Sequence, residues 1–301
     1  MGIASPNALK DKYEEMGGRM AANPDMDLAS LRNILDELHQ VASEPTGVTY
    51  EEVDANGVPA VLVKPVDAAD DRIIIYSHGG GCVAGSVNSH RKMAGHLAKA
   101  AGTHALVLEY RLAPENPFPA QIDDMVSGHR WARANGYTPE HTATAGDSAG
   151  GNLAITTVLK LRELGEPLPA AMVGFSPWID MELKGESLKS NADSDALVQP
   201  AVLEGMAQMY LGGASPSDPL ANPLHADVSG LPPMFLNAGE AETLLDDARR
   251  FADRAKEAGC DVTVETAPGH QHVYVFMAGK DKDADATISN AAQWLRPKLG
   301  L

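Results

Sequence analysis

The feature that most limits what this chain can fold into is a serine boxed in by small residues. Gly146-Asp147-Ser148-Ala149-Gly150 closes the apolar run 142–145. It fits the G-x-S-x-G pattern of a nucleophile elbow, a sharp strand-to-helix turn that holds one side chain in an exposed, strained position. The glycines follow from geometry, because a β-carbon on either side would strike the neighbouring strand or helix. The pattern predicts a helix over 149–164 whose N-terminus points at the serine, so that its free N–H groups face a developing anion. A chain rich in Gly and Ala produces such a pentapeptide by chance as well, so the surrounding chain has to decide.

That surrounding chain alternates buried strands with helices. Residues 48–53 and 58–63 read as strands joined at Asn56-Gly57, a strong hairpin signal. Runs at 72–77, 105–110, 142–145, 171–175, 234–238 and 261–265 are short and apolar, as strands buried on both faces are. Helical stretches at about 90–101, 121–135, 243–258 and 284–294 fall between them. This rhythm predicts an α/β fold with a mostly parallel central sheet and helices on both faces. Two parts stand outside it. In 1–45, Leu28, Leu31, Leu35 and Leu38 recur at helical spacing after Met16, Met20 and Met26. Such a helix packs on a core or lines an apolar pocket, since Met adapts to varied shapes. In 181–217 a polar stretch leads into a helix over 201–211, opened by Pro200, with Val202, Leu203, Met206, Met209 and Tyr210 as an apolar stripe. The expected division is a helical segment 1–45, a core of 46–180 and 218–301, and an insertion 181–217 that meets the N-terminal helices as a small cap.

Composition sets the partners. The formal charge of −17 argues against nucleic acid, whose phosphates need clustered Lys and Arg, and it repels an anionic membrane surface. Met1–Asn7 lacks a charged region followed by an apolar one, and no apolar run approaches the ~20 residues that span a bilayer. The expectation is a cytoplasmic protein without signal peptide or membrane association. Cys82 and Cys260 make neither a disulfide framework nor a metal-ligand pair, and read as small buried apolar residues. No metal and no cofactor is expected.

A serine hydroxyl is a poor nucleophile that needs a base, an orienting acid, and donors for the oxyanion it creates. His78-Gly79-Gly80-Gly81 follows a buried strand directly, so backbone N–H groups there can approach a substrate unhindered. A phosphate loop would instead end in Gly-Lys-Ser/Thr. Two of Gly79, Gly80 and Gly81, with the N–H of Ala149, would form an oxyanion hole. His78 is read as bracing that loop and Asp147 as structural support beside the serine. The base is sought after the last strand, where Pro268-Gly269-His270-Gln271-His272 offers His270 or His272, although a loop histidine is often only solvated surface. The acid is sought after 234–238, among Glu240, Glu242, Asp246 and Asp247. Acidic residues also suit the first turn of a helix. The order Ser, acid, His is that of α/β-hydrolases.

Together, His78–Gly81, Tyr110-Arg111-Leu112-Ala113-Pro114-Glu115, Gly146–Gly151 and Pro268–Val273 resemble the hormone-sensitive-lipase-like, or bacterial type IV, esterases of the α/β-hydrolase superfamily, from about residue 47 to the C-terminus. The resemblance implies Ser148 as nucleophile and His272, rather than His270, as base. It also implies a helical cap, short-chain acyl ester substrates and frequent homodimers. The family's usual acid is the first Asp of an Asp-Pro-Leu-Arg-Asp-like stretch; here Glu242-Thr243-Leu244-Leu245-Asp246 puts Glu242 at that position, with Asp246 next. A longer carboxylate can still orient the imidazole. The expected activity is that of a serine carboxylesterase working through an acyl-enzyme. A lactone hydrolase with the same triad is the nearest alternative. A non-catalytic small-molecule receptor is the alternative from another class, although such relatives can lose the histidine that this chain retains.

Overall fold

The structure, a computed structural model, describes residues 8–23 and 25–301; the expectation for Met1–Asn7 lies outside the described residues. In chain order the elements are α1 (Ala8–Ala21), α2 (Leu28–Asp36), β1 (Val48–Asp54), β2 (Pro59–Pro65), β3 (Ile73–Ser77), α3 (Val87–Ala101), β4 (His104–Leu108), α4 (Ala120–Ala134), β5 (Thr142–Asp147), α5 (Ala149–Glu163), β6 (Ala171–Phe175), α6 (Ser187–Ser190), α7 (Pro200–Leu211), β7 (Met234–Gly239), α8 (Leu245–Glu257), β8 (Val262–Ala267) and α9 (Lys282–Leu295). The eight strands form one sheet in the order β1-β2-β4-β3-β5-β6-β7-β8. β2 is antiparallel to β1 and β4, and the other pairings are parallel.

The apolar runs become central strands because both of their faces are covered. Alternation along β3 sends Ile73 and Ile75 to one side and Ile74 and Tyr76 to the other, with all four at 0% exposure. Ile74 and Tyr76 join the core under α3 and α9, while Ile73 and Ile75 pack with α4 and α5. Burying each of these aliphatic side chains contributes about 1.5–3 kcal/mol. At the hairpin, Asn56 (φ 60°) and Gly57 (φ 91°) both take positive φ and Ala55 N–H bonds the Val58 carbonyl at 2.7 Å, as a two-residue primed turn requires.

Several boundaries differ from the sequence expectation for local reasons. α3 begins at Val87 rather than near 90, because Ser86 and Ser89 form a capping box. β4 ends at Leu108, and Tyr110 beyond it turns inward to bond the His78 carbonyl at 2.7 Å. The N-terminal segment folds as two helices. Asp27 caps α2 by accepting from Ser30 N–H at 2.7 Å, and the burial falls on Ile34, Leu35 and Leu38, with Leu28 and Leu31 only partly covered. α7 starts at Pro200 and ends at Leu211, capped by Gly212 (φ 57°), and α6 precedes it unannounced in the sequence. Cys82 is fully buried, whereas Cys260 is only partly so, its Sγ facing the Val228 carbonyl at 3.0 Å.

Candidate active site

Ser148 sits between the end of β5 and the start of α5 with φ 53° and ψ −124°, a conformation an L-residue takes only when its surroundings force it. Its N–H bonds the Phe175 carbonyl at 2.9 Å, and its carbonyl accepts from Trp178 N–H at 2.9 Å. Small residues make the turn possible: a β-carbon on Gly146 would overlap the Gly150 carbonyl, and one on Gly150 would overlap the Ser77 carbonyl.

The loop after β8 brings His272 to the serine, with Nε2 at 3.0 Å from Ser148 Oγ. Contacts on either side of the imidazole help to hold this loop. Tyr13 of α1 donates its hydroxyl to the His272 carbonyl at 2.9 Å, and Val273 (φ 47°) donates its N–H to Ser176 Oγ at 3.0 Å. His270, the other histidine of the pair, instead faces Asp283 at 3.2 Å.

Of the four acidic candidates after β7, Glu242 alone faces His272. It is 0% exposed, and its Oε2 accepts from Ser176 Oγ at 2.7 Å and from Gly239 N–H at 3.1 Å. The same oxygen lies 3.6 Å from His272 Nδ1. That is an ion-pair distance and not a hydrogen bond, so the carboxylate acts on the ring through space. The other three are engaged elsewhere. Glu240 accepts from Thr266 Oγ1 at 2.7 Å, Asp246 from Ser187 N–H at 2.9 Å, and Asp247 from the N–H groups of Ile179 and Asp180 at 2.7 and 2.8 Å. Burial alone would lower the His272 pKa, but the neighbouring Glu242 carboxylate, helped by Asp195 and Asp147, more than reverses this and leaves it above the usual imidazole value. Burial likewise pushes the Glu242 carboxyl up, partly offset by His272 and Ser176.

In the glycine loop the expectation needs a correction. The Gly79 N–H points at His90 Nε2, 3.2 Å away, and Gly79 is not among the residues that line the pocket over Ser148. The N–H groups of Gly80 (φ 111°), Gly81 (φ 66°) and Ala149 have no acceptor among the described residues, and Gly80 and Gly81 line the pocket over Ser148. His78 lies against this loop, with Nδ1 at 2.8 Å from the Gly79 carbonyl and its ring stacked on Tyr110 at 4.1 Å. Burial, reinforced by His90, lowers the His78 pKa to about 3, so its ring is neutral. Asp147 is buried, accepting from Tyr76 Oη at 2.7 Å and lying 3.2 Å from His90 Nε2. Burial would raise its pKa, but His90 and Tyr76 hold it below the ordinary value. One ring nitrogen cannot both accept from Gly79 and donate to Asp147, so His90 holds one partner at a time.

Sequence reasoning missed His90, Ser176 and Tyr13. His90 sits one turn into a helix, Ser176 follows β6 at φ 47°, and Tyr13 reaches His272 across 259 residues. Above Ser148 a cavity of ≈ 80 Å³ is lined by Tyr13 and Met20 of α1, Leu35 of α2, and Leu203 and Met206 of α7. Among the described residues no group of three His, Cys, Asp or Glu could hold a metal, and no helix is long and apolar enough to cross a membrane. A hydroxyl within reach of an imidazole, a carboxylate behind the ring and unclaimed N–H donors opposite are the parts that acyl transfer needs.

Comparison with known proteins agrees with this chemistry. A family profile described as the alpha/beta hydrolase fold matches residues 74–276. An acetyl-hydrolase of Streptomyces hygroscopicus is 40% identical over 231 residues, 77% of each chain. An esterase of Acinetobacter venetianus is 33% identical over 88% of each chain. A crystal structure of an esterase from the bacterial hormone-sensitive lipase family superposes with a TM-score of 0.93 at 42% identity, covering 99% of both chains.

Proposed function

The chain belongs to the α/β-hydrolase family, as a hormone-sensitive-lipase-like carboxylic ester hydrolase, and from that premise we propose that Ser148, His272 and Glu242 are its catalytic triad, acting on short-chain acyl esters. The single observation that carries this reading is the 3.0 Å approach of His272 Nε2 to Ser148 Oγ across 124 residues of chain. His272 takes the Ser148 proton as Oγ attacks the ester carbonyl, and the resulting oxyanion is held by the N–H groups of Gly80, Gly81 and Ala149. The imidazolium returns that proton to the departing alkoxide, leaving an acyl-serine. Water, deprotonated by the same ring, then attacks the acyl carbon, and the proton passes back to Ser148 as the acid leaves. Glu242 holds the ring's tautomer and steadies its charged form.

The small cavity supports short acyl groups. Segments 1–45 and 181–217, whose described helices α1, α2 and α7 line it, are read as the cap that sets chain-length preference. Ser148→Ala should lower kcat by about 10⁶ if the three residues act as a unit. A tenfold fall or less in pure protein overturns the assignment, and fluorophosphonate labelling of Ser148 checks it independently. Rates on p-nitrophenyl esters of increasing acyl length, beside ε-lactones, separate the ester reading from the lactone one. Because the base must be neutral, kcat/KM should rise with pH through the His272 pKa, which lies above the unperturbed value of about 6.5. A profile flat between about pH 5 and 8 counts against His272.

A further inference from the structure

The insertion does more than cover the pocket, because residues 191–199 are sewn to both loops that carry the acid and the base. On the acid side, Asn191 Nδ2 donates to the carbonyls of Glu240 and Glu242 at 3.0 and 2.8 Å, and Ser194 Oγ to that of Ala241 at 2.8 Å. On the base side, Gln271, the neighbour of His272, accepts from Ala196 N–H and donates to the Ser194 carbonyl, both at 2.8 Å. Asp195 lies at the crossing and is 3% exposed. Its Oδ2 accepts from the N–H and hydroxyl of Thr243, next to Glu242, at 2.8 and 3.1 Å. Its Oδ1 accepts from the N–H groups of Leu197 and Val198 at 3.0 and 2.8 Å, and these two residues form part of the pocket wall.

No cation pairs with Asp195 among the described residues, so its buried carboxyl group is held by neutral donors alone. A carboxylate is nevertheless required there. Donors approach from two sides, and an asparagine would satisfy only one side while turning its own N–H₂ against the other. Resting on the Ser148–His272–Glu242 reading, we propose that Asp195 is a positioning residue for catalysis: it fixes the loop of Glu242 relative to His272 and ties both to the wall that the substrate's acyl group touches. Contact of the acyl chain with Leu197 and Val198 and the placement of Glu242 are then set through one side chain.

A role confined to stability would show in the melting temperature alone, so the test needs other readouts. His272 is faced by Glu242 from the acid loop, Asp195 from the insertion and Asp147 from the elbow, with the Tyr13 hydroxyl on its carbonyl from α1. Removing the Asp195 charge should therefore make the imidazole easier to deprotonate. Asp195→Asn is expected to lower kcat about tenfold with KM within about twofold. Its acid limb in kcat/KM should move on the order of half a pH unit downward. Asp193→Asn, at an exposed neighbour, should leave all three unchanged. If Asp195→Asn only lowers the melting temperature, or only raises KM, the proposal is overturned. Should that variant not fold, Thr243→Val decides, with kcat falling at constant KM for the proposal and unchanged kcat against it. Ser148→Ala, measured alongside, separates the two readings. An active Ser148→Ala enzyme sinks the triad itself, whereas an inactive one beside a wild-type-like Asp195→Asn sinks only the role of Asp195.

Discussion

The floor and the roof of this pocket are built by different rules. The floor, where β3 and β5 end under Gly79 and Ser148, is backbone against backbone: a β-carbon on Gly146 or Gly150 would occupy the space of a carbonyl oxygen. The roof, contributed by α1, α2 and α7, meets the site through Met20, Leu35, Leu203 and Met206, whose side chains bend. Close backbone packing admits one geometry, which an oxyanion hole and a nucleophile require. Flexible apolar side chains admit many, which suits the part that meets a variable acyl chain. The difference teaches where substitution should be ruinous and where it should only retune.

The largest effect should come from Gly150→Ala. Its methyl would have to displace the Ser77 and His78 backbone, costing about 3 kcal/mol or more. For a chain of this size that lowers Tm by on the order of 10 °C, read by calorimetry, with esterase activity lost. A stable, active Gly150→Ala protein would break the contrast at once. Next is Glu242→Gln, which preserves shape and removes charge; kcat should fall about 10³-fold. Because Glu242 raises the His272 pKa, its acid limb should also move to lower pH. Smaller again is Gly81→Ala, where floor touches roof. The new methyl meets the Met206 side chain at a backbone φ of 66°, and about a tenfold loss of kcat/KM is expected. Adding Met206→Ala should recover part of it, since the methionine is half of the conflict; a double variant no better than the single would place the whole cost in the backbone. The smallest effect belongs to Met206→Ala alone, a change within about fivefold on an acetyl ester and a shift of preference toward longer acyl chains. A collapse of activity there would show that the roof is as rigid as the floor.

Much of this was legible in the sequence wherever local chemistry dictates local structure. The apolar runs marked the strands, and the elbow, the glycine loop and the two loop histidines marked three strand ends that had to converge if the fold was α/β. What stayed open were choices that only packing makes. By residue type and position alone Asp246 and Asp247 were as open as Glu242, which only the resemblance put first; the first turn of α8 uses both aspartates on residues 179, 180 and 187. Gly79 looked like a donor to substrate until the fold turned its N–H toward His90, indistinguishable in sequence from other helix histidines. Ser176, Asp195 and Tyr13 act across tens to hundreds of residues, and no periodicity or spacing encodes a hydrogen bond of that reach.

The bond from the Tyr13 hydroxyl to the His272 carbonyl means that α1 takes part in holding the His272 loop, although the sheet is complete without it. Trimming the chain past Tyr13, by a protease or a shortened reading frame, should leave a folded but sluggish hydrolase. Anyone fixing this enzyme to a support would do well to keep the attachment point away from α1.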